Sequence, residues 1–146
     1  MKKYKVQSVK IKMVREGKSI YSNTPFTSSQ AVATALMKVT KDLDREQMMV
    51  ITVDTKLTPT SFTVVAIGGR SYASFDIADI FKTAILSNAD GIIIAHNHPS
   101  GDPAPSKADI ETTKKMMLAG DILGIKVLDH IVLGEDKYVS IVDLLK

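Results

Sequence analysis

Two histidines one residue apart, His96 and His98, are followed after seven residues by Ser106 and after two more by Asp109. A run of aliphatic residues, Gly91-Ile92-Ile93-Ile94-Ala95, leads into them. Short, β-branched and uncharged, that run reads as a buried strand. On an extended backbone, residues two apart point to the same face, so both imidazoles arrive together. Pro99, Gly101, Pro103 and Pro105 then interrupt regular structure, and a helix starts near Ser106 with Asp109 in its first turn. Two imidazoles and a carboxylate suit zinc, whose catalytic sites keep three protein ligands and one open position. The chain has no cysteine, which excludes a closed thiolate site, disulfides and thiol redox chemistry. Ser106-x-x-Asp109 also has an ordinary reading as a helix-capping pair. The length of the whole spaced pattern, and its place where strand gives way to loop and helix, favour metal binding.

Zinc with an open position makes hydroxide available near neutral pH. Hydrolysis then needs a group to move the proton and a donor for the developing oxyanion. Ser106 can be that donor. Glu46, Asp54, Asp102, Glu111 and Asp129 are all candidates for the base. His130, the third histidine, follows Asp129 in an apolar stretch. It reads as a strand histidine bonded to a backbone carbonyl or carboxylate, with support of the metal site from behind as the subsidiary reading. Ser100 and Asp102 read as turn-shaping residues, and the three prolines as stiffeners of the loop.

The string His96-x-His98, seven residues, Ser106-x-x-Asp109 matches the JAMM motif of the JAB/MPN+ metalloproteases. More narrowly, AHNHPSGDPAPSKADIETTKK followed by LGIKVLDHIVLGEDKYVS resembles the RadC family, with similarity from about Tyr4 to Ser140. The resemblance implies a single α/β domain of the JAB/MPN-like (cytidine-deaminase-like) kind over residues 1–146, a mixed sheet flanked by about three helices. It implies one Zn2+ per chain, held by His96, His98 and Asp109, with Ser106 stabilising the tetrahedral intermediate. It also selects Glu46 as general acid/base, because the family's catalytic glutamate lies upstream, just before a hydrophobic strand, where Asp44 to Val50 fits. The expected activity is that of a zinc metallopeptidase cleaving a peptide or isopeptide bond. Two other readings stay open: a DNA-associated protein with a repair role, as RadC proteins are traditionally named, and a non-catalytic interaction module stabilised by zinc. Gly69 stands where the family pattern has Thr, and Asp76-Ile77-Ala78-Asp79 where it has His-Pro-Arg-Glu. These departures spare the metal motif and leave substrate preference open. No N-terminal helix-hairpin-helix region is expected, since the catalytic-type domain begins at once.

The elements that must position these residues follow from patterning. The 146 residues, 45% hydrophobic and 24% charged, suit one soluble domain with a real core. The N-terminus lacks the apolar stretch of a signal peptide, and no apolar run is long enough to span a membrane, which fits a cytoplasmic protein. Net charge is +3, and Lys2, Lys3, Lys5, Lys10 and Lys12 read as a solvated strand face, giving DNA only weak support as a partner. Peptide or protein substrates and a homo-oligomer are compatible with the chain.

Alternation with one slip predicts a strand over 4–14 and a short strand over 18–22. After Ser28, the spacing of Val32, Leu36, Val39 and Leu43 predicts a helix. Strands follow at 48–53 and 61–67, paired antiparallel across a short turn, with Gly68-Gly69 as the break. Ile77, Ile80, Phe81, Ala84 and Ile85 predict a one-faced helix over 76–87 that Asn88 ends. The helix from Ser106 carries Ile110, Thr113 and Met117 on one side and stops at Gly120 or Gly124. Strands at 125–133 and 138–142 complete a two- or three-layer α/β domain. The methionines, among them Met48, Met49, Met116 and Met117, read as core filling.

Overall fold

A computed structural model describes residues 1–17, 19–68 and 75–146. Its elements run α1 (Ser29–Thr40), β1 (Gln47–Val53), β2 (Pro59–Ile67), α2 (Ile77–Leu86), β3 (Gly91–Asn97), α3 (Lys107–Leu123), β4 (Lys126–Leu133), β5 (Tyr138–Ser140) and α4 (Ile141–Leu144). The five strands form one mixed sheet in the order β2-β1-β3-β4-β5. β1 pairs antiparallel with both β2 and β3, β3 pairs parallel with β4, and β4 pairs antiparallel with β5. The parallel pair needs a crossover, and α3 supplies it.

The period-2 alternation of strand side chains divides the core into two layers. Met49, Ile51 and Val53 of β1, Ile93 and Ala95 of β3, and Ile131 and Leu133 of β4 pack with Val32, Ala33, Ala35 and Leu36 of α1. Met48 and Val50 of β1 and Ile92 and Ile94 of β3 pack instead with Ile80, Phe81 and Ala84 of α2 and Met116 of α3. The molecule is therefore three-layered, with α1 on one face of the sheet and α2 and α3 on the other. Every residue of β3 is buried, as a central strand covered on both faces must be.

Asp76 caps α2, and Asn88 ends it in a left-handed conformation (φ 52°). Gly124 (φ 71°) terminates α3. Gly120 lies inside that helix, where any side chain would collide with the Ile125 carbonyl, so its smallness lets α3 lie close on β4. Among the described residues no helix is long and apolar enough to cross a membrane.

Several expectations are corrected. Residues 4–14 form no strand, and Tyr4, Val6, Val9, Ile11 and Val14 stay exposed. Nor do 19–22 form one, while Lys18 and Gly69 lie outside the described residues. Alternation supplies a potential apolar face, but a strand needs a paired edge to persist, and this arm has none. The last strand stops at Ser140 because the Ser140 hydroxyl caps a short helix, α4, so four helices stand among the described residues, in keeping with a mixed sheet flanked by about three. Val39 is exposed, since α1 ends at Thr40 and its buried face runs through Val32, Ala33 and Leu36. β2 begins at Pro59, two residues before the predicted start, at a sheet edge where a missing N–H costs nothing.

Candidate metal centre

The site lies at the C-terminal end of β3, where three elements converge. His96 is the strand's penultimate residue, on the α2/α3 side like Ile92 and Ile94, and is 0% exposed. His98 follows just beyond the strand. Its own N–H donates to the Leu133 carbonyl at 2.8 Å, so the loop leaves β3 still tied to β4. The two imidazoles meet with Nε2 of His96 3.1 Å from Nε2 of His98, as the i, i+2 spacing predicts.

α3 brings the carboxylate. The Ser106 hydroxyl accepts from the Asp109 N–H at 3.0 Å, and Asp109 Oδ2 accepts from the Ser106 N–H at 2.8 Å. Ser106 and Asp109, the last two residues of the expected metal motif, thus also form a capping box. The cap aims Oδ2 of Asp109 to within 3.4 Å of His96 Nε2 and 3.6 Å of His98 Nε2.

Glu46 comes from a third element, immediately before β1. Its Oε1 is 3.8 Å from His96 Nε2. The side-chain amide of Asn97 holds it there by bracketing its backbone. Asn97 Oδ1 accepts from the Gln47 N–H at 2.8 Å, and Nδ2 donates to the Arg45 carbonyl at 3.0 Å. The Glu46 carbonyl accepts from Gly68 N–H at 2.7 Å.

Hydrogen-bond bookkeeping decides what the centre can hold. His98 Nδ1 lies 2.8 Å from the Asp102 carbonyl, an acceptor only, so Nδ1 carries the hydrogen and Nε2 presents a lone pair. A lone pair pointed at a second imidazole nitrogen and a carboxylate calls for a positive charge between them, either a proton or a cation. Four ligands at 2.0–2.2 Å around zinc in a tetrahedron stand about 3.3–3.5 Å apart. The three edges formed by His96, His98 and Asp109 are 3.1, 3.4 and 3.6 Å. The donor set fits such an ion, and the donor atoms of Glu46, His96 and His98 also cluster closely enough to share a metal.

The electrostatics agree with a cation-seeking centre. Burial alone would raise the Asp109 pKa, but the contacts with His96 and His98 outweigh it and hold the carboxyl well below its usual range. The Asp109 carboxylate raises His98 above the ordinary imidazole value against the effect of burial. Burial pushes Glu46 up, partly offset by the two imidazoles, so it is the more basic of the two carboxylates.

Of the sequence-predicted residues, Glu46, His96, His98 and Asp109 come together, and Ser106 stands beside them at the start of α3. Its oxygen accepts from Asp109 N–H, which leaves its own O–H free to donate. The other candidate bases are occupied elsewhere. Asp54 Oδ1 accepts from Lys56 and Thr58 N–H in the β1–β2 turn. Asp102 Oδ1 accepts from Ala104 N–H, Glu111 pairs with Lys114 on the surface, and Asp129 Oδ1 accepts from His130 N–H and the Ser140 hydroxyl.

His130 corrects the expectation of a backbone or carboxylate partner. Its ring bonds His96 on one side and the Thr113 hydroxyl on the other. The ring stands behind His96, on its Nδ1 side. Asn97 and Thr113 take roles here that no sequence expectation assigned them. Thr113 carried a signal, a hydroxyl on the helix face that otherwise reads as apolar.

A family model described as a RadC-like JAB domain matches residues 26–145. Among curated proteins, a UPF0758 protein of Carboxydothermus hydrogenoformans is 51% identical over 96 residues, covering 66% of this chain and 42% of its own length. A UPF0758 protein of Chloroflexus aurantiacus is 40% identical over 123 residues, 84% of this chain and 54% of the relative. One from Staphylococcus epidermidis is 38% identical over 125 residues, 86% of this chain and 55% of the relative. The chain spans about half the length of the curated relatives it matches.

Proposed function

The chain belongs to the RadC-like JAB domain family, and on that premise we propose that it is a zinc-dependent hydrolase cleaving an amide bond, in a peptide or an isopeptide. The observation that carries this reading is the convergence of two imidazole Nε2 atoms with the carboxylates of Asp109 and Glu46. His96, His98 and Asp109 would hold the ion. When bound, zinc supplies Lewis acidity that lowers the pKa of water toward 7 and polarises a carbonyl.

The chain's own groups do the rest. Glu46, raised in pKa and 3.8 Å from His96 Nε2, takes the proton of the attacking water on its carboxylate and returns it to the departing amine. Ser106 donates its hydroxyl hydrogen to the developing oxyanion. His98, Asp109 and Glu46 are half-buried while Ser106 is exposed, so an amide on another macromolecule can reach these groups.

The test is hydrolysis of a fluorogenic peptide library and of ε-amide-linked lysine peptides by the zinc-loaded chain. Glu46→Gln should cost on the order of 10²–10⁴-fold in kcat with zinc retained. Turnover that survives both that substitution and a chelator contradicts the reading.

A second reading rests on the N-terminal arm, where Lys2, Lys3, Lys5, Lys10 and Lys12 are all exposed. It is a contact with nucleic acid, by which DNA affinity falls steeply with salt. DNA affinity unchanged on deleting residues 1–16 would remove it.

A further inference from the structure

Behind the metal ligands lies a line of buried polar atoms to which the hydrolytic reading gives no task. His96 Nδ1 is 2.7 Å from His130 Nε2, His130 Nδ1 is 2.6 Å from Thr113 Oγ1, and Thr113 Oγ1 is 2.7 Å from the Asp109 carbonyl oxygen. Thr113 and His96 are 0% exposed and His130 is 1% exposed, so water does not settle which atom donates.

The direction of the line follows from its one fixed end. A carbonyl only accepts, so the Thr113 hydroxyl gives its single hydrogen to Asp109. Its oxygen must then accept from His130, which puts the ring hydrogen of His130 on Nδ1. The His130 ring is buried, and its two nitrogens meet the Thr113 hydroxyl and the His96 ring with no carboxylate on either, so the ring stays neutral. Its Nε2 is therefore an acceptor, and His96 must donate from Nδ1. Only one arrangement satisfies every atom, and it leaves Nε2 of His96 bare on the side facing His98 and Asp109.

We propose that Thr113 and His130 are positioning residues that lock His96 in its Nδ1–H tautomer, so that Nε2 is held ready to bind a divalent cation. The role of the lock rests on the metal-binding reading above, whereas the tautomer itself can be observed without metal. His98 reaches the same state through the Asp102 carbonyl, which is local to its loop. His96, inside the sheet, has no carbonyl on Nδ1 and borrows one from α3 through two side chains. The same line joins the two elements that carry the ligands. Thr113 is one helical turn beyond Asp109, and His130 lies on β4 opposite Ile94 of β3. Without it, His96 would divide between tautomers, and one of them points an N–H at the ion.

Thr113→Val keeps the shape and removes the hydroxyl, and Thr113→Ser restores it. Zinc affinity is read by competition with a chromophoric chelator, normalised to folded protein. Tautomers are read from imidazole 15N shifts of the metal-free wild-type chain at alkaline pH. The expected results are a Kd for zinc raised 10–100-fold in Thr113→Val, near wild-type affinity in Thr113→Ser, and a pyrrole-type Nδ1 with a pyridine-type Nε2 on His96. A merely structural Thr113 would change thermal stability and leave the affinity of the folded protein alone, and that result overturns the proposal. So does a wild-type His96 protonated on Nε2, a measurement that needs no variant to fold. If the wild type binds no zinc, the metal reading fails, and the 15N shifts alone decide whether the lock exists.

Discussion

Alternate residues of β3 build two different environments. Ile93 and Ala95 face α1 in a wholly apolar cluster, whereas Ile92 and Ile94 start the other face, which then turns polar at His96. Both faces are equally dry. On the α1 side, burial is satisfied by packing, whose value scales with apolar area and tolerates modest changes of shape. On the α2/α3 side, His96, His130 and Thr113 are buried in a line that partners every polar atom except Nε2 of His96, and such a network depends on every member. One face therefore carries stability, and the other spends part of its burial on holding donors in a fixed arrangement.

Substitutions can break that division. The largest effect is expected at the metal. His98→Ala removes a ligand and should take zinc from about one ion per chain, the count for a mononuclear site, to near zero, while the thermal midpoint of the metal-free protein changes little.

Next comes Ile93→Ala, on the opposite face one turn of alternation away. It should cost about 2–5 kcal/mol in denaturant unfolding and leave the zinc affinity of the folded fraction unchanged. If instead it weakens zinc as much as it weakens the fold, the two faces are not separable.

Asn97→Ala should leave zinc bound but release the backbone clamp on Glu46, lowering kcat on the order of 10–100-fold through misplacement of the base. Steady-state kinetics beside a zinc assay would separate these.

The smallest effect is at Asp129, which burial holds above the usual carboxylate range although the Ser140 hydroxyl and His130 N–H pull it down. A raised folded pKa means the native state holds its proton more tightly than the unfolded state. Stability should therefore fall as pH rises from the ordinary carboxylate range through the raised value. Asp129→Asn should flatten that slope, by roughly 1 kcal/mol or less, with no change in zinc affinity. A pH series of urea midpoints reads it.

What was legible in the sequence followed the reach of the physics. His96, His98, Ser106 and Asp109 lie within one strand, loop and helix start, where strand periodicity and capping rules fix side-chain direction. Glu46 lies far upstream, and nothing local distinguishes it from Asp54 or Asp129. The resemblance to known proteins selected it, and the β1–β3 pairing of Met48 with His96 is what brings it near. The Thr113–His130 line was out of reach because it depends on the register of β3 on β4 and the rotation of α3, both set by the completed core. The N-terminal arm failed for the opposite reason. Its alternation was plain, but pairing is a property of two strands and cannot be read from one.

Zinc content of the purified chain, measured by elemental analysis beside His98→Ala after both have been offered zinc and desalted, is the decisive measurement. About one zinc per wild-type chain, the count for a mononuclear site, and almost none in the variant is the predicted result. Equal zinc in both proteins, or none in either, would contradict a metal centre built on His96, His98 and Asp109.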